Sequence, residues 1–332
     1  MTEYILHPFS LVFRLIVQVR KRLYASGLLH RTPLHCPSVC VGNITAGGTG
    51  KTPVCIFLMK HFIGAGKNPV LLLRGYKGAD GTCDEAEIYK KRIKDCAIGI
   101  GADRHKSAAN HSDADIAIMD DGLQHLSVRP TVTVAVIDCL NPFSNGMLLP
   151  AGRLREPVHG LQEYDMIVLS RANLISQDRL TWLHNRLGRI CPDTPCFESA
   201  QKINAFRDPF SLEMITPDIP AEKKALAFCG IGNPESFRRS LNEIGISPTD
   251  LLAYSDHHTY TQQDADHIQN TAARQNADVI LTTEKDINKI APFFRDNQDI
   301  RLCYSVLDIE FNDPESFTGH ITRLLDDRKV LK

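Results

Sequence analysis

The sequence has no excess of charge of either sign, no internal repeat and no low-complexity tract. Its 332 residues contain 38 Lys and Arg against 39 Asp and Glu, which leaves a formal net charge of −1. Without a global positive field, nothing in the composition indicates a nucleic-acid partner. The hydrophobic share of 43% and the charged share of 23% are typical of a soluble globular protein, and the length suffices for two domains.

The ten cysteines form no recognisable pattern, because no Cys-x-x-Cys pair occurs among them. A disulfide framework or a zinc site usually shows regular short spacings. The scatter instead predicts reduced, mostly buried thiols in a cytosolic protein. The cysteines lie at positions 36, 40, 55, 83, 96, 139, 191, 196, 229 and 303.

The N-terminal stretch, residues 5–23, is mostly apolar but lacks the uninterrupted run of a membrane-spanning helix, because Arg14 interrupts it. It also lacks the order of a signal peptide, since the cations at 20–22 follow the apolar part. Ser10, Arg14 and Gln18 recur every four residues, which predicts a helix with one narrow polar stripe and a wide apolar face.

Two interpretations of this helix remain open. It lies in a membrane interface with its basic end against anionic headgroups, or it docks on the domain as a core helix. The basic cluster at 20–22 favours the interface. Residues 1–27 are therefore predicted to form an N-terminal membrane-interface helix.

Apolar β-type runs alternate with helical patterns along the rest of the chain, which predicts an α/β protein with largely parallel sheets. We expect a phosphate-loop core domain at 28–190, a turn-rich connection at 191–220 and a second, smaller α/β domain at 221–332. The predicted strands of the core are 38–41, 70–73, 116–119, 132–137 and 166–169; a possible strand pair lies at 196–206. In the second domain we expect strands at 225–229, 251–254, 279–282 and 301–306, and helices at 234–244, 262–275 and 314–326.

A glycine-rich segment, Gly42–Pro53, separates the first predicted strand from a helical stretch at 54–62. Strand, glycine loop, Gly-Lys-Thr and helix together are typical of a phosphate-binding loop. Lys51 would reach the β- and γ-phosphates, and the Thr52 hydroxyl would bind Mg²⁺. The strict pattern requires glycine where Thr45 stands, so a glycine-rich turn with a chance Gly-Lys-Thr is the alternative. The predicted phosphate-binding residues are Thr45, Ala46, Gly47, Gly48, Thr49, Gly50, Lys51 and Thr52.

Two carboxylates, Asp120 and Asp121, end the apolar strand at 116–119. Magnesium prefers hard oxygen ligands and usually takes only one or two protein carboxylates. Beside a phosphate loop, these residues are candidate metal ligands. The alternative is an acidic turn, because Asp121-Gly122 is also a good turn dipeptide.

Seven motifs in fixed order resemble the tetraacyldisaccharide 4′-kinase family, the lipid A 4′-kinases of Gram-negative envelope biosynthesis. Each motif is weak alone, but the ordered set is specific, and Thr45 fits the non-standard loop of that family. The motifs are Val41-Gly42-Asn43 through Thr52-Pro53, Arg74-Gly75-Tyr76, Asp84-Glu85, Asp120-Asp121-Gly122-Leu123-Gln124-His125, Leu149-Pro150-Ala151-Gly152 with Leu154-Arg155-Glu156-Pro157, Asp256-His257-His258-Thr259-Tyr260, and Thr282-Thr283-Glu284-Lys285-Asp286.

The resemblance implies a transferase that uses ATP and Mg²⁺ to phosphorylate the 4′-hydroxyl of a tetraacyldisaccharide 1-phosphate, giving lipid IVA. It implies a peripheral location on the cytoplasmic face of the inner membrane, and it indicates no obligate protein partner. A membrane-associated phosphate-loop ATPase or switch without a lipid acceptor is the alternative function.

The resemblance also implies an acid–base pair, Asp84 and His257, with His257 contributed by the second domain. A sugar hydroxyl has a pKa far above 7, so a positioned base such as Asp84 should take its proton. His257 would orient or tune that base. Cys83 and Ala86 depart from the family pattern beside Asp84, and the choice of His257 over His258 rests on motif register.

Polar and basic side chains elsewhere in the matched motifs are candidates for contact with the substrate or with phosphate, since arginine offers a fork matched to phosphate oxygens. Surface ion pairs are the alternative for each arginine. Gln124 and His125 could instead position the metal shell or the loop. The candidates are Arg74, Arg155, Gln124 and His125, followed by Arg104 and Arg171.

Overall fold

The structure is a computed structural model that describes residues 2–75, 84–211, 214–215, 224–294 and 300–329. The strands are β1 (Ser38–Gly42), β2 (Pro69–Leu73), β3 (Ala97–Ile100), β4 (Ile116–Asp120), β5 (Val132–Asp138), β6 (Met166–Ser170), β7 (Cys196–Arg207), β8 (Met214–Ile215), β9 (Ala225–Cys229), β10 (Asp250–Ala253), β11 (Val279–Thr283) and β12 (Arg301–Phe311). The α-helices are α1 (Thr2–Ala25), α2 (Lys51–Gly64), α3 (Asp84–Arg92), α4 (Arg104–Ala109), α5 (Gln177–Ile190), α6 (Pro234–Glu243), α7 (Gln262–Arg274), α8 (Ile287–Ile290) and α9 (Pro314–Lys329), and 3₁₀ turns occupy Val158–Glu163, Ala172–Leu174 and Ala291–Phe293.

The chain divides into a first unit, residues 1–200 with 311–332, and a second unit, residues 201–310. In the first unit the strands are ordered β3-β2-β4-β1-β5-β6-β7, and each of these pairings is parallel. Strands β1, β2, β4 and β6 are buried along their whole length, as expected for a parallel sheet covered on both faces. Val41 pairs with Asp120, so the loop after β1 and the end of β4 meet at one sheet edge.

The predicted strands are all present, with bounds that differ by a few residues. One prediction was wrong. The possible strand pair at 196–206 is the single strand β7, whose buried positions alternate and which contains neither Gly nor Pro to turn the chain. The short strand β3 was missed, because a four-residue segment with an internal glycine gives little strand signal.

Helix α9 belongs to the first unit, whereas the sequence-predicted second domain, 221–332, included it. Arg328 on α9 donates to both oxygens of Asp165, at 2.5 and 3.0 Å. The Phe317 ring is fully buried and stacks on Phe311 with 4.1 Å between ring centroids. These contacts fix the helix to the first sheet, and local sequence patterns do not reveal such a return of the chain.

Helix α1 docks on the first unit through a polar contact. Ser10 is buried, its hydroxyl donates to Leu148 O at 2.9 Å and accepts from Ala151 N at 3.0 Å, and Phe13 packs against the core. Of the predicted polar stripe, Ser10 therefore faces the protein, whereas Arg14 is exposed. The outward side is apolar and exposed, at Phe9, Leu11, Val12, Leu15, Ile16 and Val19. Within the described residues, no helix carries an apolar stretch that could cross a bilayer.

In the second unit the strands are ordered β10-β9-β11-β12-β7, and β8 pairs antiparallel with β7. Pairings of β10 with β9, β9 with β11 and β11 with β12 are parallel, as predicted. Helix α7 begins with a capping box, in which Thr261 accepts from the backbone of Asp264 and the Asp264 side chain accepts in return. The cysteines of the described residues are free thiols, mostly buried, as the scattered spacing predicted.

Candidate active site

The glycine loop between β1 and α2 has the backbone that anion binding needs. Gly50 adopts a left-handed conformation, with φ of 89°, directly before the first helical residue, Lys51. It provides no side-chain cap, so the N–H groups of the first turn are directed toward whatever occupies the loop. Gly47 has φ of 114°, and a Cβ there would lie 2.6 Å from Arg153 Nη2. Both positions therefore require glycine.

The start of the loop is held by backbone pairing with a later segment. Ala46 N donates to Arg153 O at 2.6 Å, and Arg155 N donates to Ile44 O at 2.7 Å. The amide of the buried Asn43 donates across the turn within the loop. These bonds give the loop a fixed shape before any ligand arrives, which lowers the ordering cost of binding.

The end of the loop is held by the last residue of β6, Ser170, and by the residue that follows it, Arg171. Ser170 Oγ donates to Thr49 O at 2.6 Å, and Arg171 Nη2 donates to Gly48 O at 3.0 Å. Arg171 also pairs with Asp138 at 2.6 Å, and both side chains are buried. Arg171 therefore supports the loop from the protein interior. It forms a buried ion pair with Asp138, and not the surface ion pair that was the alternative interpretation.

A carboxylate at the end of β4 joins two cations beside the loop. Lys51 Nζ lies 3.5 Å from Asp121 Oδ1, and Arg155 Nη1 contacts both Asp121 oxygens at 2.9 and 3.0 Å. Burial by itself would raise the pKa of Asp121, but Lys51 and Arg155 hold that pKa below its usual value. Asp121 thus remains ionised and fixes the lysine at the helix start.

The neighbouring carboxylate, Asp120, is fixed from two sides. Tyr89 OH donates to Asp120 Oδ2 at 2.7 Å, and burial together with Asp120 raises the pKa of Tyr89 well above its usual value. Arg104 donates to Gly101 O at 2.6 Å and to Asp120 O at 3.4 Å. Only 1% of Arg104 is exposed, so it is neither a surface ion pair nor open to substrate, and it braces the backbone at the strand end.

The predicted metal ligands have suitable chemistry. Thr52 is the second residue of α2, Asp120 is the last residue of β4, and Asp121 follows it, so hydroxyl and carboxylate oxygens are available beside the loop. Among the residues described, no group of three or more His, Cys, Asp or Glu could hold a metal alone. Magnesium in phosphoryl-transfer sites needs only one or two carboxylates, with water and phosphate oxygens completing its shell. The donor set therefore fits Mg²⁺.

Gln124 and His125 lie beside the loop. Gln124 Nε2 donates to Asn43 O at 3.0 Å and to Glu156 Oε1 at 2.7 Å, which ties the loop to a buried carboxylate. The His125 ring contacts Ser127 Oγ at 3.1 Å, and burial with the nearby Arg104 lowers the pKa of His125. Gln124 thus supports the loop, and His125 stays neutral at physiological pH.

The structure describes the backbone of both predicted acid–base residues, Asp84 and His257, but the side chain of His257 only. Helix α3 begins at Asp84, but the Asp84 side chain lies outside the described residues, as does Tyr76. In the second unit, His257 is exposed and has a φ of 60°. Its backbone N–H donates to Gly230 O at 3.1 Å. His258 instead turns to Asp264, at 3.2 Å. The two histidines therefore differ: His257 has a left-handed backbone conformation and an exposed side chain, whereas the side chain of His258 contacts Asp264.

The sequence analysis missed several contributing residues, among them Tyr89, Glu156, Asp138 and Ser170. Tyr89 gave no signal, because its role depends on how α3 packs. Glu156 lay within a matched motif in which only Arg155 was assigned a role. Asp138 ends β5 as Asp120 ends β4, so a strand-end carboxylate was the available signal.

A buried parallel strand, a preformed glycine loop at a helix N-terminus, and a lysine held by a strand-end carboxylate define a phosphate-loop nucleotide-binding protein. The family model described as tetraacyldisaccharide-1-P 4′-kinase matches residues 2–326. The chain belongs to this family.

Relatives with the name tetraacyldisaccharide 4′-kinase include one from Halothermothrix orenii, 33% identical, over 87% of this chain and 83% of the relative. Another, from Syntrophus aciditrophicus, is 30% identical over 97% of this chain and 93% of the relative. The crystal structure of LpxK from Aquifex aeolicus in complex with ATP shares the fold, with a TM-score of 0.72 and 22% identity, covering 98% of this chain and all (100%) of that one.

These matches confirm the predicted family, the fold class and the kinase activity, an ATP-dependent phosphotransfer for which Mg²⁺ is the usual metal. The names of the relatives favour the kinase over a switch protein without a lipid acceptor. The roles of individual residues stay predictions.

Proposed function

We propose that this chain transfers the γ-phosphate of ATP to the 4′-hydroxyl of a tetraacyldisaccharide 1-phosphate, giving lipid IVA. The observation that carries the proposal is the family match over residues 2–326. The fixed loop at the start of α2 supports it, since positioning and charge neutralisation provide most of the rate in phosphoryl transfer.

In the nucleotide half of the site, the loop from Thr45 to Thr52 binds the phosphates through backbone N–H groups. Lys51 neutralises charge on the β- and γ-phosphates, and Asp121 keeps its ammonium at the helix start. Thr52, Asp120 and Asp121 would hold Mg²⁺, which would supply positive charge that offsets the negative charge of the phosphates.

In the acceptor half, Asp84 takes the proton of the sugar hydroxyl as the new bond to phosphorus forms. His257 orients or tunes that carboxylate. The helix start at Asp84 and the fixed left-handed turn at His257 are compatible with these roles, and the family motifs support the assignment.

For the substrate phosphate, Arg74 is the candidate favoured by exposure, because it follows β2 on the surface beside Gly75, whose φ is 72°. Arg155, Gln124 and His125 are half-buried, and Arg155 already holds Asp121. We assign Arg155 and Gln124 mainly to the support of the loop.

We further propose that α1 lies in the membrane interface at the cytoplasmic face of the inner membrane, without an obligate protein partner. Its outward side exposes Leu15 at 59% and Ile16 at 58%, and Arg20 and Arg22 are exposed beyond the apolar part. An acceptor with four acyl chains stays at the bilayer, so the enzyme must work there. The apolar side and the basic end suit that surface.

The function is tested with γ-³²P-ATP and a lipid A precursor in mixed micelles. We expect label to enter a chloroform-soluble product in amounts that follow the consumption of ATP. Release of inorganic phosphate alone, with the acceptor present, would favour an ATPase and contradict the kinase proposal.

The membrane role of α1 is tested by the double substitution Leu15→Asp and Ile16→Asp. Each aspartate removes apolar area from the outward side and adds charge that anionic headgroups repel. We expect most of the protein to leave the lipid fraction in vesicle flotation, while its melting temperature stays within a few degrees because both side chains are exposed. Ile63→Asp, at an exposed apolar residue of α2, is the matched control. Equal flotation of both variants would contradict the proposal.

A further inference from the structure

Lys21 of α1, the middle residue of the basic cluster at 20–22, forms ion pairs within the protein. Its Nζ lies 2.6 Å from Glu156 Oε2 and 2.9 Å from Glu163 Oε2. The Glu156 side chain is only 2% exposed, whereas that of Glu163 is 55% exposed. Burial opposes the charge on Lys21, but Glu156 raises the pKa of Lys21 above its usual value. The helix therefore supplies the cation that a buried carboxylate requires.

The other carboxylate oxygen of Glu156, Oε1, is linked to the glycine loop by the side chain of Gln124. Oε1 accepts from Gln124 Nε2 at 2.7 Å, and the same amide donates to Asn43 O at 3.0 Å. Asn43 opens the loop and its own amide bonds across the loop backbone. A carboxylate neutralised by α1 thus orients the amide that holds the loop start.

A second path starts at the other end of the same amide. Gln124 Oε1 accepts from Arg155 Nη1 at 3.2 Å, and Arg155 contacts Asp121 at 2.9 Å. Asp121 in turn lies 3.5 Å from Lys51 Nζ. Direct contacts therefore connect Lys21 with Lys51 through four intervening side chains, all within the first unit.

We propose that Lys21 is a positioning residue for the nucleotide site. Docking of α1 neutralises Glu156, and Glu156 holds Gln124 in the orientation that fixes both the loop start and the Arg155–Asp121 pair. The helix that meets the membrane then also sets the geometry of the phosphate site. This inference rests on the proposed nucleotide role of Lys51.

The competing explanation is that Lys21 merely fastens the helix. Other contacts already do so, because Ser10 bonds to Leu148 and Ala151 and Phe13 packs on the core. Loss of Lys21 should therefore leave α1 docked and the protein on vesicles. What it should change is the charge balance at Glu156 and the orientation of Gln124.

The experiment measures kcat/KM for ATP and the dissociation constant of a non-hydrolysable ATP analogue. We expect Lys21→Met to lower kcat/KM for ATP about three- to thirtyfold, with weaker analogue binding and unchanged flotation. Lys21→Arg should restore most of the loss. Glu163→Gln, which removes the exposed partner only, is the matched control and should behave like the parent protein.

A double variant keeps the test decisive if Lys21→Met folds poorly. Combining Lys21→Met with Glu156→Gln removes both charges and leaves an amide of the same shape, so it should recover much of the lost kcat/KM. Losses that multiply in the double variant would overturn the inference, as would full activity of Lys21→Met while Lys51→Ala is inactive. Full activity of Lys51→Ala would instead refute the proposed nucleotide site, and with it this inference.

Discussion

Replacing Lys51 by Ala is expected to lower kcat by about 10²–10³-fold, because the substitution removes a preorganised positive charge from the γ-phosphate. The ammonium stands at the N-terminus of α2, 3.5 Å from an ionised Asp121, so its position is set before the nucleotide binds. The loss is measured by transfer of ³²P to the lipid acceptor under saturating ATP.

The matched control for this variant is Lys60→Ala. Lys60 lies on the same helix but is exposed to solvent, so its removal should leave the rate within about twofold of the parent. A Lys51→Ala protein with normal turnover would show that the loop does not hold the reacting nucleotide. A rate lost equally in both variants would point to a general defect of α2.

Replacing Asp84 by Asn is expected to lower phosphate transfer by about 10²–10⁴-fold while binding of ATP survives. The amide keeps the shape of the side chain but cannot accept the proton of the sugar hydroxyl. Turnover and nucleotide binding are measured on the same preparation, the second by equilibrium titration with a non-hydrolysable analogue. The combination separates a base from a nucleotide ligand.

Glu87→Gln is the control for Asp84→Asn. Glu87 lies on the same short helix, and among the described residues its ion pair is an exposed one with Lys90, so neutralising it should leave transfer nearly unchanged. Normal transfer by Asp84→Asn would remove the proposed base. Loss of both transfer and nucleotide binding would assign Asp84 to the nucleotide site instead.

The N-terminal helix shows how a sequence pattern can predict a helix without revealing which of its sides packs on the protein. The four-residue spacing of its polar residues predicted one narrow polar stripe and a wide apolar face; Ser10 of that stripe is buried, whereas Arg14 is exposed. The sequence analysis allowed the apolar side to face either the membrane or the core of the domain. It therefore did not predict which side of the helix faces the protein. The structure docks the helix through Ser10 and Lys21 and leaves Leu15 and Ile16 outward.

The basic cluster at 20–22 divides in the same way. Arg20 and Arg22 are exposed, but Lys21 is committed to Glu156. One of the three cations that favoured the membrane interface therefore has an internal role. Residues that are adjacent in sequence lie on different faces of a helix. Only the tertiary structure shows which of those faces packs against the protein.

The sequence by itself determined the features that depend on neighbouring residues. It predicted the buried strands, the glycine loop with Lys51 and Thr52, the carboxylates at the end of β4 and the family. The strands, the loop and the strand-end carboxylates are local patterns, each contained within about a dozen residues. The family resemblance instead depends on the order of seven short motifs along the chain.

Only the tertiary structure decided which distant groups share a contact. Tyr89 on Asp120, Arg171 with Asp138 beneath the loop, α9 returning to the first unit, and Lys21 on Glu156 all join residues far apart in the chain. Their physical basis is burial, because a carboxylate taken out of water needs a donor or a cation from whichever element packs against it. The packing of the elements determines which donor or cation reaches each buried carboxylate, and no local pattern in this sequence predicts it.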